Sequence, residues 1–188
     1  MYAYESFLPS EPLWQIIRSK YDQNEMDFDP IGIHGWMHAY RCCYAAQALQ
    51  DAYPDFYAIP LSREVIRIVV ASHDIGRKNN GTDRWEKDSA IWCTDFLVEH
   101  LSFTAEDART IGNCIIKEQK AVFPKLQDLL HDADALEYSR LLPPADFDYN
   151  RLIVVQQLGV SVISTISPIL ERLLAMQEDE IYFKLQNG

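Results

Sequence analysis

The chain reads as all-α, folded as a single compact helical domain. Apolar residues recur at spacings of three and four in almost every segment, strand-type alternation is nearly absent, and a 48% hydrophobic content over 188 residues supports a real core. The first helix follows Ser10-Glu11, with Pro12 in its first turn and Leu13, Ile16, Ile17 and Tyr21 on one face, and is expected to break at the acidic stretch after Tyr21. A long helix over about residues 33–51 carries His34, His38 and Arg41, whose spacings of four and three place them on one stripe. The next helix begins near Ser62, runs through the apolar stretch from Val65 to Ala71 and closes at Gly76, read as its C-terminal cap, so that His73 and Asp74 fall in the final turn.

Arg77 to Thr82 form a polar turn, followed by a helix over about residues 83–100. Thr104-Ala105-Glu106-Asp107 caps a helix through Ile111, Cys114 and Ile115 to about Gln119. Residues 123–140 form another, ended by Leu141-Leu142-Pro143-Pro144. Residues 150–162 are apolar and β-branched enough to read either way, whereas Ser167-Pro168 opens an amphipathic helix through Ile169, Leu170, Leu173, Leu174 and Ile181. That stripe completes the core or, on the other reading, makes a homodimer contact. One domain thus spans residues 1–188, with an N-terminal arm over 1–10 and a C-terminal helix within 160–188 packed on the core.

Composition excludes some functions. A formal net charge of −11 argues against binding a nucleic-acid polymer, which requires clustered Lys and Arg, but leaves room for a small anionic substrate at a local positive centre. The start of the chain has no basic flank before an apolar stretch, and no run approaches bilayer-spanning length, so a cytoplasmic protein without membrane partners is expected. Cys42, Cys43, Cys93 and Cys114 lack paired metal-knuckle spacing and read as reduced, buried thiols.

The chemistry concentrates at His73-Asp74. An ionised carboxylate beside an imidazole at the end of an apolar run is costly to desolvate unless something cationic satisfies it, and a metal ion would. Upstream stands His34-Gly35-Trp36-Met37-His38, and downstream Asp132-Ala133-Asp134-Ala135-Leu136-Glu137, so three segments offer imidazoles and carboxylates to one ion.

That order resembles the HD superfamily of metal-dependent phosphohydrolases. The resemblance implies an HD-type helical domain and a metal site of His38, His73, Asp74 and Asp134, with Asp132 second to Asp134. It also implies hydrolysis of a small phosphoester or nucleotide by a metal-bound hydroxide, which Asp74 helps to orient. Glu86 is the candidate general base, although Asp83 and Glu86 also have capping-box spacing. His34 reads either as a substrate contact or ligand-supporting donor, or as a helix-start residue near solvent. Arg41, Arg77 and Lys78 are candidate phosphate contacts, with surface salt bridges as the other reading. His100 and His131 do not match the auxiliary histidines of dinuclear relatives, and Lys117-Glu118 stands where such a histidine often does, so one ion is expected rather than two. Mixed His and Asp ligation suits Mn, Fe, Co, Ni or Zn, and Mg is the remaining candidate. The alternatives are a catalytically inactive binding or regulatory module and a two-iron oxygenase or lyase. Trp36, Tyr40, Trp85 and Phe123 are either base-stacking or core residues.

Overall fold

The computed structural model describes residues 6–27, 34–78, 84–141 and 147–187, and no strand occurs among them. The helices are α1 (Glu11–Asp27), α2 (Trp36–Ala52), α3 (Arg63–Ser72), α4 (Trp85–Leu101), α5 (Ala105–Gly112), α6 (Pro124–Glu137), α7 (Ile153–Leu158) and α8 (Ile163–Asn187), joined in places by short 3-10 turns. α2 is the central element, in contact with α1, α3, α6 and α8. Ala39, Cys42, Cys43, Ala45 and Ala46 are buried along it, and side chains this small let neighbouring helices come close. α5 lies as tightly on α4: a β-carbon on Gly112 would come within 2.6 Å of Thr94 Oγ1 and 2.8 Å of the Ala90 carbonyl oxygen.

Several boundaries differ from expectation. α1 does not break after Tyr21 but continues to Asp27, and Asn24 in that extra stretch is buried, donating from Nδ2 to the Ile75 carbonyl at 2.6 Å. α2 starts at Trp36, so His34 lies in the turn before it rather than on the helical stripe, though its ring stays 5.8 Å from that of His38. Ser62 caps α3 as its sequence suggests, accepting from the Val65 N–H at 3.3 Å. α3 then ends at Ser72, and His73 to Gly76 form a separate turn.

Gly76 is not a left-handed cap, since the one positive-φ glycine among the described residues is Gly159. It is required for closeness: a β-carbon there would lie 2.6 Å from the Ser89 nitrogen and 2.6 Å from the Trp85 oxygen, both backbone atoms of α4. α4 begins without a side-chain cap, and Asp83 of the proposed capping box lies outside the described residues. α5 is shorter than expected and passes into a 3-10 turn at Asn113–Ile115.

The ambiguous stretch after residue 150 is helical because α6 reaches across to it. Asp132, 0% exposed, accepts the Ile153 N–H at 2.7 Å, the Val154 N–H at 3.0 Å and the Tyr57 hydroxyl at 2.6 Å, capping α7 from another helix. α8 starts before Pro168, and Ile166, Ile169, Leu170, Leu173 and Met176 are buried on its inner face, completing the core. The side chain of Ile181 lies outside the described residues.

Candidate metal centre

Three elements place four side chains around one point. α2 supplies His38, the turn after α3 supplies His73 and Asp74, and α6 supplies Asp134. His38 Nε2 lies 3.1 Å from His73 Nε2, 3.4 Å from Asp74 Oδ2 and 3.6 Å from Asp134 Oδ1. His73 Nε2 lies 3.8 Å from the same Asp74 and Asp134 oxygens.

The other nitrogen of each ring fixes what those atoms are. His73 Nδ1 is 2.7 Å from the Val70 carbonyl oxygen, which only accepts, so Nδ1 carries the hydrogen. His38 Nδ1 donates to Glu137 Oε2 at 2.7 Å. In the neutral rings both Nε2 atoms therefore present lone pairs, and they face each other and two carboxylate oxygens. His34 gives a hydrogen to Asp74 Oδ2 from the side, at 2.8 Å, but the four facing atoms have no donor among themselves and repel unless a cation lies between them. Metal–nitrogen and metal–oxygen bonds of about 2.0–2.2 Å put tetrahedral donors about 3.3–3.6 Å apart, so the donor set and its spacing fit a divalent ion.

Without an ion, protons are drawn in instead. Burial alone would depress the His38 imidazole, yet the Cys42 sulfur beside it, Glu137 and the hydrogen bond with Asp74 hold its pKa well above the usual histidine value. Burial would likewise raise Asp74, but the charge of His73 and hydrogen bonds from His34 and His38 keep it well below the usual carboxylate range. Asp134 is lowered in the same way: its desolvation is outweighed by His73, through a hydrogen bond and charge, and by His38.

Cys42 borders the cluster without pointing into it. Its sulfur is 3.7 Å from His38 Nε2 and 3.9 Å from Nδ1, nearly equidistant, so it lies against the ring. A donor sharing an ion with Nε2 would be much farther from Nδ1, which lies behind the coordinating atom. All four cysteines are free and buried, in line with their sequence reading.

The remaining predicted residues divide into those at the mouth and those elsewhere. His34 Nδ1 donates to Asp74 Oδ2 at 2.8 Å, and His34 and Asp134, at 29% and 30% side-chain exposure, mark the open side of a cluster whose other members are buried. Arg77 Nε donates to Asp74 Oδ1 at 3.2 Å, and its guanidinium stacks 3.8 Å from the centre of the Trp85 ring. Lys78 is exposed at the periphery, 3.9 Å from Asp88.

Arg41 departs from its expected role as a phosphate contact. It is 2% exposed and gives Nε to Glu137 Oε1 at 2.8 Å, so it meets the centre's supporting carboxylate rather than an incoming anion. Glu86 Oε2 accepts the backbone N–H of Lys117 at 3.0 Å. Asp132, the second choice for the last ligand, is committed to α7 and Tyr57. His131 bonds Asp132 at 3.1 Å, and His100 packs on Phe96, so neither joins the cluster. Of the aromatic candidates, Trp36, Tyr40 and Phe123 pack against the core, leaving Trp85 as the ring beside the site.

Two residues were missed from sequence. Glu137 orients His38, and its signal was its position one turn beyond Asp134 on the same helical face. Lys117 reaches Asp134 Oδ2 with its ammonium at 3.3 Å, and its signal was the resemblance that sets Lys117-Glu118 where dinuclear relatives often have a histidine.

Fold and site together define an all-helical protein with a candidate divalent-ion centre rimmed by basic side chains. The chain belongs to the SidE phosphodiesterase (PDE) domain family, which matches it over residues 32–181 and places it among hydrolases of phosphodiester bonds. No curated protein and no solved structure matches it. The matched span takes in the whole cluster from His34 to Glu137 and leaves α1 outside.

Proposed function

We propose that the chain is a metal-dependent phosphodiesterase of HD type, acting on a small anionic phosphoester or nucleotide with one divalent ion held by His38, His73, Asp74 and Asp134. The observation that carries this reading is the convergence of two imidazole lone pairs and two carboxylate oxygens on one point, the two Nε2 atoms lying 3.1 Å apart and 3.4–3.8 Å from the Asp74 and Asp134 oxygens. The family supplies the bond class, and the order His38, His73-Asp74, Asp134 supports the HD-type reading.

A bound divalent ion would lower the pKa of water and draw charge from the phosphoryl group. The chain's own residues do the rest. Glu137 and the Val70 carbonyl hold the two rings in the tautomer that exposes Nε2, and Arg41 fixes Glu137. His34, half-buried and bonded to Asp74, is placed to contact substrate or pass a proton outward. Arg77 offers a guanidinium at the mouth. With a net charge of −11 and no helix among the described residues long and apolar enough to cross a membrane, neither a nucleic-acid polymer nor a bilayer is the proposed partner.

The test is elemental analysis of protein purified without chelator, coupled to turnover of bis(p-nitrophenyl) phosphate and of nucleotide diesters and monoesters. His73→Ala and Asp74→Ala are each expected to remove both the metal and the activity while circular dichroism stays helical. Wild-type metal content in both variants would refute the assignment.

A further inference from the structure

The two carboxylates of the centre are divided in the same way. Asp134 turns Oδ1 toward the imidazole pair and gives Oδ2 to the Lys117 ammonium at 3.3 Å. Asp74 turns Oδ2 toward the pair and gives Oδ1 to Arg77 at 3.2 Å. The two cations meet at a common surface, with the Arg77 guanidinium 3.8 Å and the Lys117 ammonium 5.2 Å from the centre of the Trp85 ring.

Lys117 is built into this position. Its backbone N–H is held by Glu86 Oε2 at 3.0 Å, and the carbonyl before it, that of Ile116, accepts from Gln127 Nε2 at 2.8 Å. The side chain is 42% exposed, so its head lies at the opening. An ammonium has three donor hydrogens, and Asp134 accounts for one of them.

Charge balance says why a cation is needed there. Two carboxylates cancel a divalent ion, and Arg41 cancels Glu137, so the inner site is neutral toward an anion. Glu86 adds a negative charge at the rim. Attraction of a phosphate diester to a chain of net charge −11 then falls to the basic side chains at the opening, Arg77 and Lys117 among them.

We propose that Lys117 is the second cation of the centre, supplied by the chain itself: Asp134 bridges from the ion site to the ammonium, and a non-bridging phosphoryl oxygen of the substrate is received by Lys117, with Arg77 on the opposite carboxylate and Glu86 as the positioning residue that holds the Lys117 backbone. This rests on the reading of the histidine–aspartate cluster as the reaction centre.

Inorganic phosphate is the probe, titrated calorimetrically into the metal-loaded wild type, Lys117→Ala, Lys117→Arg, Glu86→Ala and Glu86→Gln, with metal content measured for each. All are expected to keep the wild-type metal content. Loss of a charge-assisted hydrogen bond should weaken phosphate binding by about tenfold or more in Lys117→Ala, with recovery in Lys117→Arg. Glu86→Ala, which frees the Lys117 backbone, should bind phosphate more weakly than Glu86→Gln, whose amide oxygen still accepts the Lys117 N–H and whose lost rim charge should leave it at least as tight as wild type. Phosphate binding in Lys117→Ala equal to wild type overturns the proposal, and so does loss of metal in that variant, which would make Lys117 a support for Asp134. Repeating the titration on metal-free protein separates this proposal from the functional reading beneath it. A wild type that takes no ion yet binds phosphate through Lys117 sinks the metal reading alone; a wild type with no affinity that depends on Lys117 sinks this one.

Discussion

Arg41 and Glu137 form a buried pair at 2.8 Å beneath the candidate centre, and the second oxygen of Glu137 holds His38 at 2.7 Å. Such a carboxylate sets ring orientation and tautomer, and its loss commonly costs about 10–100-fold in metal affinity. Glu137→Gln is therefore expected to weaken metal binding by that order, as read by competition with a chromophoric chelator. Glu137→Ala removes an acceptor from the buried Arg41 guanidinium and from His38 Nδ1 and should destabilise the fold by about 3–5 kcal/mol in denaturant titrations. A Gln variant with wild-type metal affinity would remove Glu137 from the site.

α1 lies outside the matched span, yet it grips the turn that carries His73 and Asp74. The Tyr21 hydroxyl donates to the Ala71 carbonyl at 2.9 Å, and Asn24 Nδ2 to that of Ile75 at 2.6 Å. Asn24→Ala leaves a buried carbonyl unsatisfied, at a cost of about 1–3 kcal/mol, and should loosen metal binding as well. Thermal melts with and without added metal check this, with a smaller metal-induced rise in Tm expected in the variant.

Gly76 packs the same turn onto α4, and its own N–H donates to Ser89 Oγ at 2.9 Å. Alanine there meets backbone rather than a side chain that can swing aside. Gly76→Ala should cost about 1–3 kcal/mol through overpacking and lower metal affinity by shifting Asp74. A Tm equal to wild type would show that the turn has room that the geometry denies.

The thiols give a pH test. Burial pushes Cys93 up to about 12, Cys114 to about 11 and Cys42 to about 12, the last despite His38 beside it. Raised values mean less thiolate, the reactive form, at pH 8 than in an open chain. Folded protein should therefore resist iodoacetamide at pH 8 at all four cysteines and take up label at all four once unfolded in guanidinium, as read by intact mass. Rapid labelling of any of them in the folded state would contradict this burial.

Much of the architecture was legible because helical periodicity is local. The apolar faces around Leu13 and Ile17, Val65 and Ile68, and Ile169 and Leu173 each announce a buried side without knowledge of the neighbour. The candidate donors His73 and Asp74 were legible as well, since an acid and an imidazole ending an apolar run need a cationic partner somewhere, whereas His38 and Asp134 followed from the resemblance of their segments to the HD superfamily. Boundaries were harder. α1 outlasts its apolar stripe because Asn24 finds a carbonyl on another segment, and the stretch after residue 150 becomes helical because Asp132 caps it from α6.

What the sequence determined by itself was the helical class and the residue types for a candidate metal-ion centre, both being properties of spacing and chemistry along a short stretch of chain. Tertiary structure alone decided the partners. Asp132 caps α7, Arg41 pairs with Glu137 beneath the centre, and Glu137 and Lys117 enter the site. The reason is physical: a charged side chain's role depends on which opposite charge lies within a few ångströms, and residues that far apart along the chain are brought to that distance only by packing α6 and α3 against α2.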